Sequence, residues 1–170
     1  MTSTNEASGR SHIVVGMDGS SQSLAALRWA AGYAMLMDAE LELVHVPAIE
    51  PSEMYGVTVG LRDTITKEAR ETLTDLVTAT IGSSGGASTW RLHIVEGQPG
   101  AVLVKRSAQA DLLVLGTGEH TGLRRLVTGS VSHYCLSHAH GPVVAVPASS
   151  LPPRPSRSSG SPATLADSRQ

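Results

Sequence analysis

The feature that most constrains this chain is an alternation. Short apolar runs rich in Val, Leu and Ile are separated by longer stretches whose apolar positions recur at helical spacing. The runs cover residues 12–16, 41–46, 89–95, 112–115 and 143–146. Between them, Leu24, Leu27, Ala31 and Met35 mark one helix. Leu61, Ile65, Ala69, Leu73, Leu76, Val77 and Thr80 mark a second, which the glycines of residues 82–86 stop. Residues 98–109, with Pro99 near the first turn, and residues 130–138 read as a third and a fourth. Apolar runs of this length suit strands buried on both faces. Strict alternation predicts parallel strands joined by right-handed crossovers. The expected fold class is therefore α/β: a doubly wound five-stranded parallel sheet flanked by four helices in three layers.

Composition narrows the core and the class of partner. The 170 residues include no Phe, so the interior must be aliphatic. A net charge of −2 supplies no global field for nucleic acid, and none is expected as a partner. No run approaches the roughly 18 apolar residues of a membrane helix, so no membrane association is expected. The single cysteine, Cys135, excludes an internal disulfide and reads as a buried, inert thiol. Residues 1–11 carry no signal-peptide pattern and read as a disordered leader. Residues 148–170, rich in Ser, Pro and Arg, read as a disordered tail. The folded domain is expected over 12–147, in the cytoplasm.

Sheets of this kind bind ligands at the carboxyl ends of their strands, where strand order reverses. Two connections therefore carry the chemistry. After the first strand comes Gly16-Met17-Asp18-Gly19-Ser20-Ser21. Asp18 or Ser20 can cap the following helix, and a residue at a strand tip also faces the crevice. After the fourth strand comes a glycine-punctuated stretch from Gly116 to Gly129, containing Gly118, Glu119, His120, Arg124 and Arg125. Its glycines allow backbone N–H groups to approach an anion, and Gly129-Ser130 opens a helix whose free N–H groups favour phosphate.

Other motifs are absent or weak. The chain has no GxxxxGK[ST] run and no complete GxGxxG. His133, His138 and His140 are spaced poorly for a metal and suit the end of a helix instead. Ser130 lacks evident triad partners, though His133 stands three residues on. Trp29 and Trp90 read as core or interface residues.

Four stretches resemble the universal stress proteins: IVVGMDGSSQSLAAL (13–27), LELVHV (41–46), EGQPGAVLVKRSAQADLLVLG (96–116) and TGSVSHYCLSHAHGPVVAVP (128–147). The resemblance implies a five-stranded sheet with four helices. It also implies a homodimer formed through the last strand, Val143 to Val146. It implies ATP as ligand, with or without Mg²⁺, and AMP as an alternative. Asp18 and Val46 would border the adenosine. Gly116, Gly129, Ser130 and Val131 would border ribose and phosphates, and Met17, Leu115, Gly118 and Ser132 complete the expected binding residues. The family's nucleotide signature is Gly, two residues, Gly, nine residues, Gly, then Ser or Thr. Here Gly116 and Gly129-Ser130 keep the outer spacing, while Glu119 replaces the middle glycine.

That replacement keeps two functions open. A left-handed backbone at a residue with a Cβ costs about 1–2 kcal/mol. A carboxylate about 4 Å from a phosphate charge is opposed by about 4 kcal/mol at an effective dielectric near 20. Gly118, Arg124, Arg125, His120 or a divalent metal can offset this, which leaves a regulatory module that binds an adenine nucleotide. Alternatively, Glu119 marks a lapsed site on a nucleotide-free dimeric interaction protein. Enzymatic activity would amount at most to a slow ATPase.

Overall fold

The computed structural model describes residues 11–47, 59–83, 89–118 and 130–149. Along the chain run β1 (His12–Met17), α1 (Ser21–Met37), β2 (Glu40–His45), α2 (Val59–Ile81), β3 (Trp90–Ile94), α3 (Pro99–Ser107), β4 (Leu112–Thr117), α4 (Ser130–His138) and β5 (Val143–Pro147). The strands form one parallel sheet in the order β3-β2-β1-β4-β5, the doubly wound arrangement that the alternation predicts. Strand order reverses between β1 and β4, at the centre of the sheet.

Because side chains alternate across a strand, each strand feeds two cores. Ile13 and Val15 join the cluster under α1 and α2, with Leu41, Leu43 and Val114. Val14 joins the cluster under α3 and α4, with Val44, Leu113, Leu115, Leu103 and Cys135. Helix α1 buries Leu27 together with Ala26, Ala30, Ala31 and Ala34, small residues that bring its backbone close to the sheet. Cys135 is fully buried, and burial pushes its thiol up to about 11. Trp29 packs against the first core and stacks on Tyr33 with ring centroids 5.3 Å apart.

Several boundaries differ from the sequence reading. Met35 has helical spacing but is exposed, as are Leu36 and Met37. Period tells which side of a helix a residue occupies, not whether a neighbour reaches that far along its axis. Ile65 is exposed for the same reason, while Leu73 and Val77 of α2 are buried. Strand β4 does not end at Leu115: Gly116 and Thr117 continue it, paired with Val146 and Pro147 of β5. Pro147 is tolerated there because β5 is an edge strand, where a missing backbone N–H breaks no ladder bond. Strand β2 ends at His45, one residue before Val46, and α3 is shorter than expected at both ends. The expected leader and tail lie outside the described residues, apart from Ser11, Ala148 and Ser149.

Candidate functional site

At the reversal, the carboxyl ends of β1 and β4 lie side by side, and a crevice of about 410 Å³ opens over them. Met17, Asp18 and Val46 line it from the β1 and β2 tips. Leu115, Gly116 and Gly118 line it from β4 and the residue beyond. Ser130, Val131 and Ser132 of α4 close the far side. The structure thus brings together every expected site residue that it describes. Gly129 lies outside the described residues, as do Glu119, His120, Arg124 and Arg125.

The β1 side is a pre-organised turn. Gly19 has φ +79°, a left-handed conformation that disfavours any side chain. It turns the chain so that Ser20 becomes the N-cap of α1, its hydroxyl accepting from the Ser23 N–H at 3.2 Å. Asp18 braces the cap. One carboxylate oxygen accepts from the Ser20 N–H at 2.9 Å and the Ser20 hydroxyl at 2.5 Å. Burial pushes the Asp18 carboxyl up. The bonds from Ser20 and Ser23, with a smaller contribution from nearby His45, outweigh burial and hold it below the ordinary carboxylate range. Asp18 therefore presents a fixed negative charge at the rim. It supports the cap and faces the crevice at once.

Gly116 serves a purpose that its sequence context conceals. A Cβ there would lie 2.4 Å from the carbonyl carbon and oxygen of Gln22 and 2.7 Å from the Ser23 nitrogen. The residue is glycine because the first turn of α1 presses on β4 backbone to backbone. Its carbonyl accepts from the buried Ser132 hydroxyl at 3.0 Å, which pins the first turn of α4 to the same point. One strand residue thus locates the starts of two helices. Ser130, by contrast, is exposed.

The floor is apolar, made by Val44, Val46, Leu103 and Leu115, with Pro99 at its edge. The rim is polar: Asp18, Ser20, Gln22 and Ser23 on one side, Ser130 and Ser132 on the other. The sequence reading missed Gly16, Ser20, Gln22, Ser23, Val44, Pro99 and Leu103 as lining residues. Val44 was within reach, since it lies two positions before Val46 and so points the same way. Pro99 and Leu103 arrive from α3, and no local signal announces which helix covers the strand tips.

Among the described residues, no group of three or more His, Cys, Asp or Glu is placed to hold a metal ion. His133 is exposed, and the His138 ring Nδ1 lies 2.8 Å from the Tyr134 carbonyl of its own helix. No described helix is long and apolar enough to cross a membrane.

The model of the Universal stress protein family matches residues 9–147. A universal stress protein of Mycolicibacterium smegmatis is 34% identical over 139 residues, covering 79% of this chain and 47% of the relative. One from Methanocaldococcus jannaschii is 31% identical over 143 residues, covering 79% of this chain and 80% of the relative. The chain spans about half the length of the mycobacterial relatives it matches. Among solved structures, a universal stress protein in complex with cAMP superposes with a TM-score of 0.53 at 27% identity, covering 82% of this chain and 98% of that one. An Arabidopsis thaliana family protein with AMP bound shares the fold, with a TM-score of 0.53 at 20% identity, covering 81% of this chain and 91% of that one.

Proposed function

This chain belongs to the universal stress protein family, and we propose that it is a regulatory module that binds an adenine nucleotide, ATP first and AMP next, in the crevice between β1 and β4. The observation that carries the reading is the character of that crevice. An apolar floor of Val44, Val46, Leu103 and Leu115 suits a flat base, and about 410 Å³ falls within the usual range of ligand pockets. The Asp18 carboxylate at the rim suits sugar hydroxyls, which it can accept from without leaving its bond to Ser20. The start of α4 at Ser130 and Val131 offers backbone N–H groups toward phosphates. The cAMP complex of a relative adds support at family level. Any Mg²⁺ would enter on the phosphates. Dimerisation through the β5 edge, Val143 to Val146, and a cytoplasmic location belong to the same reading.

The test is the melting temperature of the full chain with and without about 5 mM ATP–Mg²⁺, with AMP in parallel. A ligand at 100 times its Kd stabilises by about 2.7 kcal/mol, several degrees for a chain of this size. The expected result is a shift that Gly129→Glu removes. One observation favours a second reading, a nucleotide-free dimeric interaction protein: Glu119 stands where the family signature has glycine. No shift in the unaltered chain, with a shift appearing in Glu119→Gly, would establish it. Sedimentation as a monomer would remove the dimer from both readings.

A further inference from the structure

Met17 and His45 form the last register pair between β1 and β2. The next residue on each strand, Asp18 and Val46, has left the pairing, and both line the crevice. Two chains leaving a sheet have no further ladder to keep them at strand spacing. Here a side chain continues the connection. The His45 ring Nδ1 lies 2.8 Å from the Met17 carbonyl oxygen. A carbonyl only accepts, so Nδ1 carries the proton and, in the neutral ring, Nε2 does not. On its other side, the His45 carbonyl accepts from the Val95 N–H at 2.9 Å. A single half-buried residue thus ties the tips of β1, β2 and β3 together.

We propose that His45 is a positioning residue for the nucleotide: its ring N–H, held on the Met17 carbonyl, sets the separation of the β1 and β2 tips and so the spacing of Asp18 from Val46 across one end of the ligand. The proposal rests on the reading of the crevice as a nucleotide site. His45 does not need to touch the ligand. It fixes where two residues that line the crevice leave the sheet, and displacements on the order of 1 Å at such positions are enough to weaken binding.

The test compares two amide substitutions in the full chain, by calorimetric titration with AMP and with metal-free ATP. His45→Asn places a side-chain N–H close to where Nδ1–H stands. His45→Gln carries the same group one bond farther, past the Met17 carbonyl. The expected result is about three- to tenfold weaker binding in His45→Gln, the range of one hydrogen bond, and recovery to within about twofold in His45→Asn. A generally structural role would lower the melting temperature of both variants without separating their affinities. Nitrogen-15 spectra of the imidazole in the unaltered chain give a second measure, with the Nδ1-protonated tautomer expected. Equal affinity in the unaltered chain and His45→Gln, or an Nε2-protonated ring, overturns the proposal. If the unaltered chain binds neither nucleotide, the functional reading falls and this inference falls with it. If the unaltered chain binds and His45→Gln binds equally, only this inference falls.

Discussion

The two faces of the sheet are built differently. Under α1 and α2, among the described residues, eighteen buried side chains form one aliphatic cluster, with Ala residues of α1 lying flat on Ile13, Val15, Leu41, Leu43 and Val114. Under α3 and α4 the corresponding cluster has seven members, and four of these, Val44, Val46, Leu103 and Leu115, also form the crevice floor. The second face also carries charge. Glu42 of β2 is paired with both His12 of β1 and Arg106 of α3, with the His12 Nε2 at 3.0 Å. The lesson is a division of labour. One face is closed and supplies stability. The other is left open at the strand tips, and its apolar residues serve as both core and binding surface.

Substitutions on matching positions can break this comparison. Leu27→Ala, in the closed core, is expected to cost about 2–5 kcal/mol in denaturant unfolding, since the Leu27 side chain is fully buried within the larger cluster. Leu103→Ala is expected at or below the low end of that range, because the crevice beside it can absorb the change. Equal costs would mean that the open face is packed as tightly as the closed one. Gly116→Ala joins the two faces, since its new methyl would strike the backbone of α1 at Gln22. Overpacking of this kind costs about 1–3 kcal/mol, and nucleotide affinity should fall together with the melting temperature. A neutral outcome would show that the first turn of α1 is free to move away from β4.

Smaller effects sharpen the picture. Ser20→Ala removes the α1 cap and should cost about 1 kcal/mol, while freeing Asp18 from its bond to the hydroxyl. His12→Gln tests the charged part of the open face. The Glu42 carboxylate bonded to the His12 ring raises the His12 pKa, against burial and with help from Glu40 and Asp111. The stability this contributes is fully present below the unfolded value of 6.5 and is lost as pH rises through the higher folded value. His12 and then Arg106 lower the Glu42 pKa, so its contribution is present above 4.5 and is lost as pH falls through the folded value. The melting temperatures of unaltered and His12→Gln protein should therefore differ most between about pH 4.5 and 6.5 and converge as pH rises through the raised His12 value. The pair is partly exposed, so the difference should stay below about 1 kcal/mol. A gap that widens as pH rises above 6.5 would show that the ion pair is not its source.

Much of this was legible in the order of residues because the signals were local. The start of α4 at Ser130 follows from Gly129-Ser130, and the strand cores at 13–15 and 112–115 follow from uninterrupted apolar runs. Asp18 was legible as a strand-tip residue before a helix, though not as the brace of Ser20. Gly116 was legible as a glycine at the head of a loop, but a second requirement on it was not. It lies in a strand, paired with Val146, and the backbone of a helix more than ninety residues earlier leaves no room for a Cβ there. Met35 failed in the opposite direction: its period was right and its burial was not.

The sequence by itself determined the element order, the parallel sheet and the family, because strand and helix periods, turn glycines and motif spacing are properties of neighbouring residues. Tertiary structure alone decided which faces close and which stay open. It placed Pro99 and Leu103 over the β1 and β4 tips, set the backbone contact that makes Gly116 obligatory, and brought the His45 ring to the Met17 carbonyl. Each of these depends on distances between segments far apart in the chain, and such distances are fixed only when the helices settle on the sheet.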